Sequence, residues 1–459
     1  MGEVSTPIRD AKPAGSSHMG SGNAASGPLR VSQPLALPCG AVLSNRFAKA
    51  ALTEGLADAD NNPTARHDTL YRRWSLGGAG LVITGNVQVD RRFLERPGNV
   101  VVDEVVALEA LKAYAKAGTV AGNHLWMQIN HPGRQTPLHV HASPLAPSAV
   151  PVALPGFGRP VAMTEAAITE TIARFGYAAS VARAAGFTGV QIHAAHGYLI
   201  SQFLSPLANQ RTDQWGGSLE NRARFLLRVV RAVRAEVGPD FPVSVKLNSA
   251  DFQQGGFTSD ECLQVVRWLE QEGIDLLEVS GGTYEQPQMV VAGRTKNADP
   301  LLDRVRSSTV KREAYFLHYA AALRSATSTP LMVTGGFRSL AAMEQALHAG
   351  SLDVVGLGRP LITNPEGPQQ LLDGTLDRLS AQEQTLRLEP AEGADAATSL
   401  ADMRGWGIQS WFCVQLLRLG DGKEPDTTIS VYDALQCYRT NEAQAMQRRV
   451  QNLTRTVEQ

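Results

Sequence analysis

The stretch Gly189-Val-Gln-Ile-His-Ala-Ala-His-Gly-Tyr198 opens with a short apolar run, Val190 to Ile192, and then crowds His193, His196 and Tyr198 together. A buried strand that stops abruptly at hydrogen-bonding side chains reads as the rim of a binding site. The polar run Asn209-Gln-Arg-Thr-Asp213 follows, and it leads through Trp215-Gly-Gly-Ser-Leu-Glu-Asn-Arg222 into a helix pattern carried by Leu219, Ala223, Leu226, Val230 and Val233. Strand, polar loop, then amphipathic helix is one β/α unit of a parallel sheet.

The same unit recurs along the chain. Strands are expected at Phe47–Leu52, Leu81–Thr84, Leu125–Ile129, Val190–His193, Val243–Leu247, Leu276–Val279, Leu331–Thr334 and Val354–Leu357. Helix patterns fall between them at 68–76, 108–117, around 168–182, 219–238, 263–272, 313–324 and 340–349, with a last short one at 369–372. Thr164 is placed to cap the third helix, and Gly238 to end the next. Eight such units in succession predict a closed (β/α)8 TIM barrel over residues 29–373, in preference to an open doubly wound sheet. Residues 1–28, rich in Gly, Ser, Ala and Pro without apolar periodicity, read as a flexible tail. Residues 374–459 carry helical stretches at 408–419 and 431–450, too few for a core of their own, and are expected to pack on the barrel or on a neighbouring subunit.

Composition narrows the function classes. Hydrophobic residues are 43% of the 459, enough for a large core, and the net charge of −1 argues against a nucleic-acid or polybasic membrane surface. The sequence shows neither a membrane-length apolar run nor a secretory h-region. Cys39, Cys262, Cys413 and Cys437 lie far apart with no Cys-x-x-Cys pair, so a cysteine-ligated cluster is excluded and a reduced, cytoplasmic enzyme is expected.

In such a barrel the active site lies at the C-terminal strand ends, and phosphate is often bound after strands seven and eight. Here those ends read Thr334-Gly-Gly336 and Gly356-Leu-Gly358-Arg359. Glycines let backbone N–H groups approach phosphate oxygens, and Arg359 adds a fixed, fork-shaped cation. A Gly-x-Gly-x-x-Gly turn after the first strand is missing, so a mononucleotide or a phosphorylated substrate is expected rather than a Rossmann dinucleotide.

Several motifs resemble those of the old yellow enzyme family, FMN-dependent ene-reductases on a (β/α)8 barrel. They are Asn45-Arg-Phe-Ala-Lys-Ala-Ala-Leu-Thr-Glu54, Gln128-Ile-Asn-His-Pro-Gly-Arg-Gln135, His193-Ala-Ala-His-Gly-Tyr198, Trp215-Gly-Gly-Ser-Leu-Glu-Asn-Arg222, Thr334-Gly-Gly336 and Gly358-Arg359, in the family's order. The resemblance implies that Ala51, Leu52 and Thr53 lie beside the flavin, with Thr53 on the O4 side. It implies that Gln128 meets the pyrimidine edge and that Gly336, Gly358 and Arg359 hold the phosphate. Asn86 falls where relatives usually have a small residue. Lys246 stands where many carry arginine near N1 and O2; the lesser reading is an interior lysine paired with a carboxylate. His193 and His196 resemble the pair that grips an electron-withdrawing oxygen of the substrate, and Tyr198 the general acid, with NADH or NADPH reducing the flavin. No metal is expected, because neither carboxylate nor cysteine joins the two histidines at a ligand spacing.

Three rival readings remain at this level. They are an amine-oxidising or demethylating relative, a phosphosugar-binding barrel enzyme, and a degenerate barrel that serves as a scaffold. A small-molecule substrate and a homodimer built through the C-terminal extension complete the expectations.

Overall fold

The computed structural model describes Gly2, residues 30–281, Glu285, residues 317–389 and residues 406–457. The expected tail, most of the insertion at 280–310 and the start of the helix placed at 313 lie outside the described residues. Eight strands form a closed barrel: β1 (Phe47–Lys49), β2 (Leu81–Gln88), β3 (His124–Asn130), β4 (Gly189–Ala194), β5 (Val243–Asn248), β6 (Leu276–Ser280), β7 (Leu331–Thr334) and β8 (Val354–Leu357). Each strand pairs in parallel with the next, and β8 closes on β1 with Val355 opposite Phe47. Burial on both faces explains why these strands read as nearly unbroken apolar runs.

Helices follow the strands in order. They are α1 (Ala65–Leu76), α2 (Leu108–Ala117), α3 (Glu165–Ala185), α4 (Leu199–Leu204), α5 (Leu219–Val237), α6 (Ser259–Gln271), α7 (Leu317–Arg324), α8 (Leu340–His348), α9 (Pro360–Thr363) and α10 (Gly367–Leu372). The Thr164 hydroxyl caps α3 by accepting the Ala167 N–H at 3.2 Å, and Gly238, at φ 73°, ends α5. Of the helices that start earlier than periodicity predicts, α1 and α6 do so for capping reasons. Before α1 the Thr64 N–H donates to His67 Nδ1 at 3.0 Å, so a histidine does what Glu or Gln usually does in a capping box. Before α6, Thr258 and Glu261 form the ordinary version, at 3.2 and 3.1 Å.

The first strand also ends earlier than expected, at Lys49 rather than Leu52. Beyond Ala50 the chain follows a carboxylate instead of a ladder: Glu54 turns back to accept the Gly85 N–H at 2.9 Å and the Tyr71 hydroxyl. Ala51, Leu52 and Thr53 therefore form a loop at the barrel mouth.

The lower end of the barrel interior is an apolar plug of Ala48, Ala50, Leu81, Ile83, Trp126, Leu276, Met332 and Val354. Gly189 makes room for it, since a Cβ there would lie 2.4 Å from the Trp126 ring. At the other end the chain covers itself with α11 (Ile408–Gly420) and α12 (Val431–Val457). Buried Trp411 and Leu419 of α11 join the core shared by the barrel helices. α12 is tied to the loop after β2 by an Arg96–Glu442 ion pair at 2.5 Å and by Arg449 donating to the Arg91 carbonyl at 2.6 Å, and to the segment before α1 by an Arg449–Asn61 bond.

Candidate active site

One cavity opens at the C-terminal strand ends. It is lined by Ala51, Leu52, Thr53, Asn86, Gln128, His193, His196, Tyr198, Lys246 and Arg359, which brings ten of the twelve expected site residues together. The other two, Gly336 and Gly358, lie in the turns after β7 and β8. Gly336 has φ 89°, a conformation that glycine adopts freely, and a Cβ on Gly358 would sit 3.6 Å from the Leu52 side chain.

The His193–Tyr198 turn is built tightly. His196 holds a left-handed backbone, φ 61°, because its N–H donates to Asn248 Oδ1 at 3.1 Å, while the Gln135 amide donates to its carbonyl at 3.1 Å. Its ring Nε2 lies 2.7 Å from the Ser280 hydroxyl. His193 Nδ1 accepts the Ala195 N–H at 3.2 Å, so the proton of the neutral ring belongs on Nε2. Burial pushes both imidazoles well below the usual histidine range; the neighbouring His196 and Lys246 add to this for His193, and Lys246 adds to it for His196. The two rings are perpendicular at 5.0 Å, and the Tyr198 ring stands edge-on to His193 at 4.8 Å. The result is a cluster of hydrogen-bonding side chains in which the His193 Nε2–H is a donor suited to an oxygen on which negative charge develops. Among the described residues, no group of three His, Cys, Asp or Glu side chains is arranged to hold a metal ion.

Beside this cluster lies a polar floor, and register sets Lys246 next to His193. Lys246 pairs with Glu278 at 2.9 Å, so it is both a cavity residue and an interior lysine paired with a carboxylate. Glu278 Oε2 accepts the Gln191 amide at 2.9 Å, and Gln191 Oε1 accepts the Gln128 amide at 2.7 Å. Among the described residues the Gln128 oxygen has no hydrogen-bond partner, which leaves it as an acceptor in a residue that lines the cavity. The Thr53 hydroxyl donates to Asn86 Oδ1 at 3.0 Å, so it must turn from Asn86 before it can donate to anything in the cavity.

Sequence reasoning missed several lining residues. Glu95 and Arg96 come from the loop after β2, and Ile408, Gln409, Phe412, Cys413 and Leu416 from α11. The Arg359 guanidinium lies 5.9 Å from the Phe412 ring centre. Phe412 thus brings an aromatic ring from α11 to the cavity wall. Glu278 and Gln191 were also missed, although each is a lone polar residue inside an apolar strand run, and Gln191 shares the two-residue period with His193.

The site residues fit flavin mononucleotide: an amide acceptor and a lysine on the floor, small residues at Ala51 and Gly358, and an arginine beside the glycine turns. Fold and site together define a barrel oxidoreductase. The sequence profile of the NADH:flavin oxidoreductase / NADH oxidase family matches residues 32–377, and the chain belongs to that family. The family uses FMN with NAD(P)H as electron donor.

Among individual relatives, the NADH-dependent flavin oxidoreductase of Hypocrea jecorina is 36% identical over 75% of this chain and 89% of its own length. A protein of the same description from Neonectria is 36% identical over 79% of this chain, which spans about half (49%) of that longer relative. Among solved structures, the old yellow enzyme homologue from Zymomonas mobilis aligns with TM-score 0.64 and 26% identity, covering 76% of this chain and 94% of that one.

Proposed function

We propose that this protein is an ene-reductase: NAD(P)H reduces its FMN, and the protein then reduces an alkene conjugated to a carbonyl or similar group. What supports this reading above all is the neutral His193, His196 and Tyr198 cluster facing a cavity whose floor suits FMN. The bound flavin supplies the hydride.

The chain supplies everything else. His193, through Nε2–H, and His196 hold the substrate oxygen and stabilise the charge that develops on it. Tyr198 holds the proton that goes to the α-carbon. Gln128, Lys246, Asn86 and Thr53 hold the ring system with Ala51 and Leu52, and Arg359 holds the phosphate with the turns at Gly336 and Gly358. Phe412 and its helix exclude water from above.

The test is an absorption spectrum of the FMN-loaded protein, followed anaerobically by NAD(P)H and then by cyclohexenone. Bleaching by NAD(P)H and recovery with the enone is the expected result. Bleaching without recovery moves the substrate to another class of acceptor. Tyr198→Phe should slow the recovery about a hundredfold while leaving the bleaching step nearly unchanged; equal loss in both steps contradicts the role given to Tyr198.

A further inference from the structure

The floor of the cavity contains a charge arrangement that the reading above does not use. Lys246, Glu278 and Gln191 are 2%, 0% and 0% exposed, and register places Glu278 directly opposite Lys246 and Gln128 opposite Gln191. The resulting chain runs from Lys246 to Glu278, from Glu278 to Gln191, and from Gln191 to Gln128, with every link between 2.7 and 2.9 Å. Its polarity has one direction. An ionised carboxylate only accepts, so Gln191 must present its NH2 to Glu278. The Gln191 oxygen then faces Gln128 and takes that amide's N–H. The Gln128 oxygen is what remains for the cavity, where it suits an imide N–H such as that of the flavin pyrimidine ring.

Glu278 also changes what Lys246 contributes. A lone ammonium on the floor would present a full positive charge to the cavity. An ammonium with a carboxylate at 2.9 Å presents a neutral pair, whose field falls off faster with distance. Burial holds the neighbouring His193 and His196 well below the usual histidine range, so on this side of the cavity the Lys246–Glu278 pair supplies the charged groups.

We propose that Glu278 is a positioning residue for the cofactor: it offsets the charge of Lys246, and so lowers the flavin's midpoint potential, and it orients Gln128 through Gln191. The inference rests on the FMN reading of the site. A pair that merely fills the barrel would affect stability and leave the potential where it was.

The experiment compares midpoint potentials, by spectroelectrochemical titration, of FMN-loaded wild type, Glu278→Gln and the double variant Lys246→Met/Glu278→Gln. In Glu278→Gln the freed ammonium should favour reduced over oxidised FMN by about tenfold, a rise of ~30 mV at ~29.6 mV per decade for a two-electron couple. The double variant, with both charges gone, should return close to wild type. If Glu278→Gln, left with an unpaired buried charge, fails to fold, Lys246→Met carries the test. There the carboxylate left alone should lower the potential, by about tenfold in the reduced-to-oxidised ratio or ~30 mV, and a wild-type potential overturns the proposal. A loaded Glu278→Gln protein at the wild-type potential overturns the proposal, as does a double variant that falls far below wild type. A wild-type protein that takes up no FMN in titration overturns the flavin reading itself, and this proposal with it.

Discussion

The two ends of the barrel interior are built from the same strands at the same spacing, yet they have opposite chemistry. Along β6 the inward positions are Leu276, Glu278 and Ser280: the first belongs to the apolar plug, the second pairs with Lys246, and the third lies against His196. Along β3 they are Trp126 and Gln128, and on β4 Gly189, Gln191 and His193. A step of two residues keeps the side chain on the same face and moves it roughly 7 Å up the barrel. Depth therefore decides the role. The lower end holds the barrel closed, and the upper end holds buried polar groups whose partners are one another or whatever enters the cavity.

The largest test of this division is Trp126→Ala. Emptying the plug of its indole should cost about 3–5 kcal/mol of stability, measured by denaturant unfolding, while FMN affinity of the folded protein stays close to wild type. A cost under ~1 kcal/mol would mean that the lower end is not what closes the barrel. His193→Ala should do the reverse: enone-driven reoxidation falls by ~10²–10³, about 2.7–4 kcal/mol, with little change in unfolding. Loss of stability without loss of rate would erase the contrast between the ends.

The third test uses pH. Burial pushes His131, on the upper rim after β3, down to about 4 from the ordinary 6.5. Above pH 6.5 neither the folded nor the unfolded chain is protonated there, and no dependence arises. Between pH 6.5 and 4 the unfolded chain takes a proton that the folded one refuses, so stability falls with pH, by on the order of 3 kcal/mol in full. Wild type should therefore lose more stability than His131→Gln between pH 7 and 4.5. Parallel curves would show that His131 titrates normally in the folded protein.

The smallest effect is expected from Phe412→Ala. It should raise KM for the enone several-fold, about 1 kcal/mol, and leave FMN reduction largely intact. An unchanged KM would remove α11 from the description of the substrate cavity.

Much of this was legible in the sequence for a physical reason. Strands buried on both faces must be apolar along their length, and strand ends at a working rim must carry polar groups, so the eight units and His193, His196, Tyr198 and Arg359 stand out as local signals. Thr53, Asn86, Gln128 and Lys246 were named only through the resemblance of their motifs. Boundaries were less legible where a side chain replaced the usual partner. His67 caps α1 in place of an acidic residue or glutamine, and Glu54 ends β1 by drawing away the Gly85 N–H.

By itself the sequence determined the barrel and pointed to the cavity's end of it through short-range pattern, and it named ten of the residues that line the cavity, most of them through motif resemblance. Only the tertiary structure decided which groups meet. Glu278 sits among leucines and valines in its own strand, and its ion pair with Lys246 exists because parallel register places the two opposite each other. Phe412 lies far along the chain from Thr53, and it reaches the same cavity because α11 buries Trp411 and Leu419 against the barrel's helices. Charge pairing and covering depend on distance in space, and chain order does not encode it.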